Sequence, residues 1–174
     1  AAVITTTGFY TADFNLWPEL SKTILIILMF IGACAGSTGG GFKISRLLIL
    51  CKAIPKQLSL VIHPREVKVI RMDGKPIDHN TLRSTHVYLA IYFFILLVST
   101  LLISVDNFNL TTNFTAVAST LNNIGPGLDG VGPTRNFGMY SDFSKFVLMF
   151  DMLAGRLELY PLLILFMPSL WRRK

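Results

Sequence analysis

The sequence predicts an all-α membrane protein built from repeated span–loop–span units, two of them within 174 residues. Three observations predict it. First, three apolar segments reach the roughly 20 residues that a bilayer crossing takes. Second, basic residues concentrate on one side of those segments. Third, a stretch of the first unit returns, in register, in the second. The chain is 52% hydrophobic and 15% charged, a balance that disfavours a water-soluble globule. A soluble bundle with three buried helices is the competing reading. It fits poorly with "VYLAIYFFILLVSTLLISV", Val87 to Val105, which is uncharged throughout.

The charge distribution orients the spans. Nine basic residues fall between Lys43 and Arg83, and Arg172, Arg173 and Lys174 follow the last span. Asp106 to Lys145 offers only Arg135 and Lys145. The positive-inside rule places 43–83 and the tail in the cytoplasm and 106–145 outside. A nucleic-acid surface is the other reading of the basic loop, but the loop lies between spans and has no aromatic residues for base stacking. No nucleic-acid partner is expected. Cys34 and Cys51 are too few for a disulfide framework, and His63, His79 and His86 lack a metal-ligand spacing. The start, "AAVITTTGFYTADF", has neither an initiating Met nor a basic leader. It reads as cut from something longer.

The first unit, 1–54, opens on a glycine turn at 5–9, "TTTGF", and continues into a broken span over 19–50. The break is "GACAGSTGGGFK", Gly32 to Lys43, with glycines at 32, 36, 39, 40 and 41. Three consecutive glycines cost about 1 kcal/mol each against alanine in a helix. A small-residue packing face explains Gly32 and Gly36, not Gly39, Gly40 and Gly41. A phosphate-binding loop needs lysine after the last glycine; Phe42 stands there, and no strand precedes it. An intramembrane loop at 36–41, Gly36-Ser37-Thr38-Gly39-Gly40-Gly41, remains. A basic link follows at 55–84, with a hairpin signal at Asp73-Gly74.

The second unit, 85–174, has a span at 86–105, a short helix at 109–121, a glycine turn at 122–127 and a last span at 142–171. The short helix cannot cross a bilayer, and "NNIGPG" stops it. A helix and irregular loop between two spans read as a re-entrant pore loop; an ordinary outside loop is the alternative. Irregular backbone survives at membrane depth only where it is buried or lines water. The repeat favours the pore loop. "LSKTILIILMFIG", Leu20 to Gly32, aligns without a gap on "FSKFVLMFDMLAG", Phe143 to Gly155. Upstream, Gly8 matches Gly125, with a loop six residues longer in the second copy. Thr5-Thr6-Thr7-Gly8 and Asn122-Asn123-Ile124-Gly125 are therefore candidate filter segments. Their backbone carbonyls would replace an ion's hydration shell. A helix C-terminus carries partial negative charge, which favours a cation.

Arg156 sits near the middle of the last span. An arginine there costs ~2.5–3.5 kcal/mol on insertion scales, so it calls for a partner. Asp151 and Glu158 lie at five and two residues, off the helix-pair spacing. The partner is expected on another segment; snorkelling or a structural ion pair are the alternatives. The carbonyls of an unwound 36–41 loop need donors, which the guanidinium supplies.

Five pieces together resemble one family: "TTGFYTADF", "GACAGSTGGGFK", "STLNNIGPGL", "FDMLAGRLELYPLL" and "PSLW". They are similar to the Trk/Ktr/HKT superfamily of potassium and sodium transporters, nearest its bacterial Trk branch. The resemblance covers almost the whole chain. It implies K⁺-channel-like span–pore loop–span repeats, two present of an expected four: the third from its filter onward and the whole fourth. It implies Gly8 and Gly125 as filter glycines, Gly36–Gly41 as a gate below the filter, and Arg156 as the gate's partner. K⁺ is the expected transported ion, held at the filter only, with Na⁺ or mixed transport as the alternative. No catalytic residue and no cofactor are expected. The implied partners are a cytosolic nucleotide-binding ring facing the hairpin, a second copy of the subunit, and the lipid of the cytoplasmic membrane. A membrane nucleotide-binding enzyme and a non-conducting scaffold are the readings from other classes.

Overall fold

The computed structural model describes residues 2–32, 34, 40–63, 69–72 and 74–157. Five helices carry it: α1 (Glu19–Ile31), α2 (Ile44–Ile62), α3 (His79–Ile103), α4 (Leu110–Leu121) and α5 (Asp142–Leu157). A two-residue pair, β1 (Arg71–Met72) and β2 (Lys75–Pro76), lies between α2 and α3.

α3 is apolar around its whole circumference, as a helix with lipid on one side must be. It buries Tyr92, Leu96, Ser99 and Ile103 yet leaves Phe94 66% and Leu101 74% exposed. With its 3-10 extension, Asn80–Asp106, it is long and apolar enough to span a membrane. α5 repeats the pattern, burying Val147, Leu148 and Ala154 and exposing Phe146, Met149 and Leu153.

α4 is the centre. Its 12 residues reach about 18 Å at 1.5 Å per residue, too short to span. Thr112, Asn113 and all of Thr115 to Leu121 are buried, enclosed by α3, α5 and α1. Ala116, Val117 and Leu121 meet Tyr92, Leu96, Val147, Leu148 and Ala154 in one apolar cluster. Phe30 of α1 reaches Phe114, ring centroids 5.9 Å apart.

The repeat persists in the capping. Asp13 caps the 3-10 turn Phe14–Leu16 by accepting from Asn15 N–H. Asn136, its match, caps Phe137–Met139 by accepting from Gly138 N–H. The copies diverge at the repeated glycine. α1 stops at Gly32, whose φ is +66°, whereas α5 runs through Gly155 to Leu157. Residues 158–171 of the last predicted span lie outside the described residues.

One bound differs from the sequence reading. α2 passes through Pro55 to Ile62, beyond position 54 where the first unit was ended. A proline in mid-helix forfeits one hydrogen bond. Among the described residues the hairpin expected around Asp73-Gly74 pairs Arg71 with Pro76 and Met72 with Lys75. Lys52 Nζ of α2 donates to Arg71 O at 2.9 Å, tying it to the helix.

Candidate functional site

Both candidate filter segments start from the same helix-end geometry. At the end of α4, Asn123 N–H donates to Thr120 O at 3.0 Å and Ile124 N–H to Ser119 O at 2.9 Å. With Asn123 at φ +54°, this is a Schellman turn. In the first copy, Thr6 N–H donates to Val3 O at 3.2 Å and Thr7 N–H to Ala2 O at 3.0 Å, with Thr6 at φ +52°. Every donor and acceptor has its counterpart in the register that matches Gly8 with Gly125.

Each turn then alternates in hand. Thr6 and Gly8 have positive φ (+52° and +74°), as do Asn123 and Gly125 (+54° and +112°), whereas Thr7 and Ile124 between them do not. The same alternation of hand therefore stands at equivalent positions of both segments. The two segments touch. A Cβ on Gly8 would collide with the Ile124 carbonyl oxygen and lie 3.5 Å from Pro126. Thr6, Thr7, Asn123, Ile124 and Gly125 line one cavity of about 500 Å³, closed by Leu148, Met149 and Met152. Lys145 also lines it. It comes from α5 and is paired with Asp142 at 3.3 Å.

Asn122 is fully buried and anchors the segment from below. Tyr92 Oη donates to its Oδ1 at 2.9 Å, and its Nδ2 donates to Ala118 O at 2.7 Å. The described end of the glycine-rich loop seats on it. A Cβ on Gly40 would lie 2.7 Å from Asn122 O, and one on Gly41 2.5 Å from Asn122 Oδ1. Tyr88 Oη reaches Gly41 O at 3.5 Å, and the Arg46 guanidinium lies 3.8 Å from the Tyr88 ring centroid, a cation–π distance. Gly36, Ser37, Thr38 and Gly39 lie outside the described residues. The contact expected between them and Arg156 therefore lies there too. Arg156 is in the last described turn of α5 and exposed.

α5 presses on the helix end through Gly155, where a Cβ would overlap the Leu121 carbonyl oxygen and lie 2.8 Å from Asn123 Nδ2. Asn123 Nδ2 in turn donates to Met152 O at 3.1 Å. Asp151 is fully buried and faces α3, where Ser99 Oγ donates to its Oδ1 at 2.7 Å. At the outer end Tyr140 Oη donates to Asn113 Oδ1 at 2.9 Å. Burial, with the Asp106 charge adding, pushes that phenol up to about 12, so it stays a donor at any working pH.

Sequence reasoning named both candidate filter segments, Thr6 and Asn123 among them, but missed Tyr92 and Ser99. Asn123 was legible as a left-handed residue, because Asn tolerates that region. Thr6 was not, since β-branched residues avoid it. Tyr92 and Ser99 were hidden among the apolar residues of a span, where a hydroxyl gives no periodic signal.

A buried short helix ended by a glycine turn, beside a helix long and apolar enough to span a membrane, is the architecture of an all-α membrane protein. The "Cation transport protein" family model, TrkH, matches residues 1–173. The chain belongs to the TrkH family of cation transport proteins. It is 39% identical over 171 residues to the Trk system potassium uptake protein TrkH of Vibrio parahaemolyticus, covering 98% of this chain and 35% of that one. It is 37% identical to the TrkH of Escherichia coli, with the same coverage. The crystal structure of the potassium transporter TrkH from Vibrio parahaemolyticus superposes with TM-score 0.87, over 98% of this chain and 36% of that one. The chain thus spans about a third of the length of the relatives it matches.

Proposed function

We propose that the chain supplies two filter segments and a gate to a K⁺ uptake pore in the cytoplasmic membrane. One observation carries the reading: the alternation of hand at Thr6/Gly8 recurs at Asn123/Gly125 beneath identical helix-end hydrogen bonds. Main-chain carbonyls arrayed at a helix C-terminus suit a dehydrated monovalent cation. K⁺ rather than Na⁺ follows the relatives. Two segments do not enclose a path, so the remaining wall comes from elsewhere in the intact protein or from other chains. The cytosolic nucleotide-binding ring at the hairpin and the second copy of the subunit enter as part of the same proposal.

Gly125→Ser in the intact protein tests the filter. At φ +112° any side chain is strained, so the carbonyl of residue 125 should rotate. The expected result is a lower K⁺ over Na⁺ flux ratio in proteoliposomes. An unchanged ratio removes the filter assignment.

The gate is the loop 36–41, whose described end, Gly40 and Gly41, seats on Asn122, with Arg156 as its partner. Deleting Ser37 to Gly40 should raise basal K⁺ flux. Flux that stays low and regulated would show that the barrier lies elsewhere.

A further inference from the structure

We propose that Asn15 is a positioning residue for the two candidate filters, clamping the turn after the first to the turn after the second at Asp129. The proposal rests on the filter reading above. Asp129 N–H donates to Asn15 Oδ1 at 2.9 Å, and Asn15 Nδ2 donates back to Asp129 O at 3.3 Å. One amide thus satisfies both main-chain groups of a residue 114 positions away.

Both ends of the clamp are fixed. Asn15 belongs to the 3-10 turn that Asp13 caps, and Thr134 Oγ1 reaches the other Asp13 oxygen at 3.4 Å. Asp129 Oδ2 accepts from Thr112 Oγ1 at 3.0 Å and Asn109 Nδ2 at 3.3 Å. These residues stand at the start of α4, where a carboxylate also complements the helix dipole. The clamp therefore grips the helix whose other end emits the second filter segment.

The repeat identifies the clamp as an addition. Asn15 matches Gly138, which has no side chain to offer. Asp13 matches Asn136, so the six surplus residues of the second copy fall between Gly125 and Asn136. Asp129 lies in that stretch. The inserted turn is the one that Asn15 holds. Gly132 in the same turn has φ −65°, which any residue adopts. What excludes a side chain there is the Asn15 amide, 2.8 Å from Cγ to the Cβ position.

The clamp matters more for spacing than for stability. Its bonds are at the surface, where water competes for each group. Yet Gly8 rests on the Ile124 carbonyl, so a shift of one turn against the other changes the carbonyl spacing that selects the ion.

The test is the K⁺ over Na⁺ flux ratio of the intact protein in proteoliposomes. Asn15→Ala should lower the ratio about fivefold, which is about 1 kcal/mol of ion discrimination, with total cation flux and thermal stability near normal. In Asn15→Cys/Gly132→Cys, oxidation should restore the ratio and reduction should lower it again. Gly125→Ser is the control. If it shifts the ratio while Asn15→Ala does not, the clamp is overturned and the filters stand. If neither shifts it, the filter reading falls and the clamp with it. Should Asn15→Ala fail to assemble, the double cysteine variant decides alone: a ratio indifferent to reduction overturns the proposal.

Discussion

Gly155→Ala is expected to cost more stability and more K⁺ uptake than any other single-methyl change in α5. Helix propensity alone predicts the opposite, since alanine is better than glycine in a helix interior by about 1 kcal/mol. The new methyl, however, would occupy the space of the Leu121 carbonyl oxygen and crowd Asn123 Nδ2. Overpacking typically costs about 1–3 kcal/mol, and more where the neighbour cannot move. This neighbour is main chain at the buried end of α4, next to the Schellman bonds to Ser119 and Thr120. The strain is relieved only if α5 retreats. Retreat would break the bond from Asn123 Nδ2 to Met152 O and release the first two residues of the candidate filter. The net effect is therefore destabilising, by up to about 2 kcal/mol once the propensity gain is subtracted. Thermal unfolding in detergent should show a lower midpoint, and K⁺ uptake by cells should fall in parallel. A variant at least as stable as the parent would mean that the α4–α5 contact is looser than the geometry implies.

That contact also marks how far the sequence could be read. The apolar run 87–105 announced α3, because a span needs no long-range information. The internal repeat announced the two positive-φ glycines, Gly8 and Gly125, because copies of one unit must bend at one place. The same repeat equated Gly32 with Gly155, and there it misled as to role. Gly32 terminates a helix, while Gly155 sits inside one and exists to let a carbonyl approach. Glycine is the residue for both tasks, so identity alone does not separate them. Only the neighbour does, and the neighbour is more than 30 residues away. Asp151 was equally opaque. Spacing along the helix argued against pairing with Arg156, but nothing in the sequence nominated Ser99, 52 positions earlier. Asn15 belongs to the same class: its worth depends on an inserted turn in the other copy.

Gly8→Ala is expected to damage ion discrimination more than Gly125→Ala, although the repeat makes the two glycines equivalent. Both positions have positive φ, which costs an L-residue about 1–2 kcal/mol. That penalty applies at both, and more at Gly125, whose φ of +112° lies outside the left-handed helical region. The surroundings differ. A Cβ on Gly125 meets nothing within 4 Å, whereas one on Gly8 collides with the Ile124 carbonyl oxygen. The collision adds an overpacking cost of about 1–3 kcal/mol and directs it at a carbonyl of the opposite candidate filter. One methyl therefore disturbs two segments. The Gly8 variant should lose K⁺ over Na⁺ preference by roughly tenfold beyond the Gly125 variant, since 1.4 kcal/mol is one decade. Parallel flux-ratio measurements on the two alanine variants of the intact protein decide it. Equal losses would mean that conformation alone matters at both sites, and that the Gly8–Ile124 contact is not part of the path.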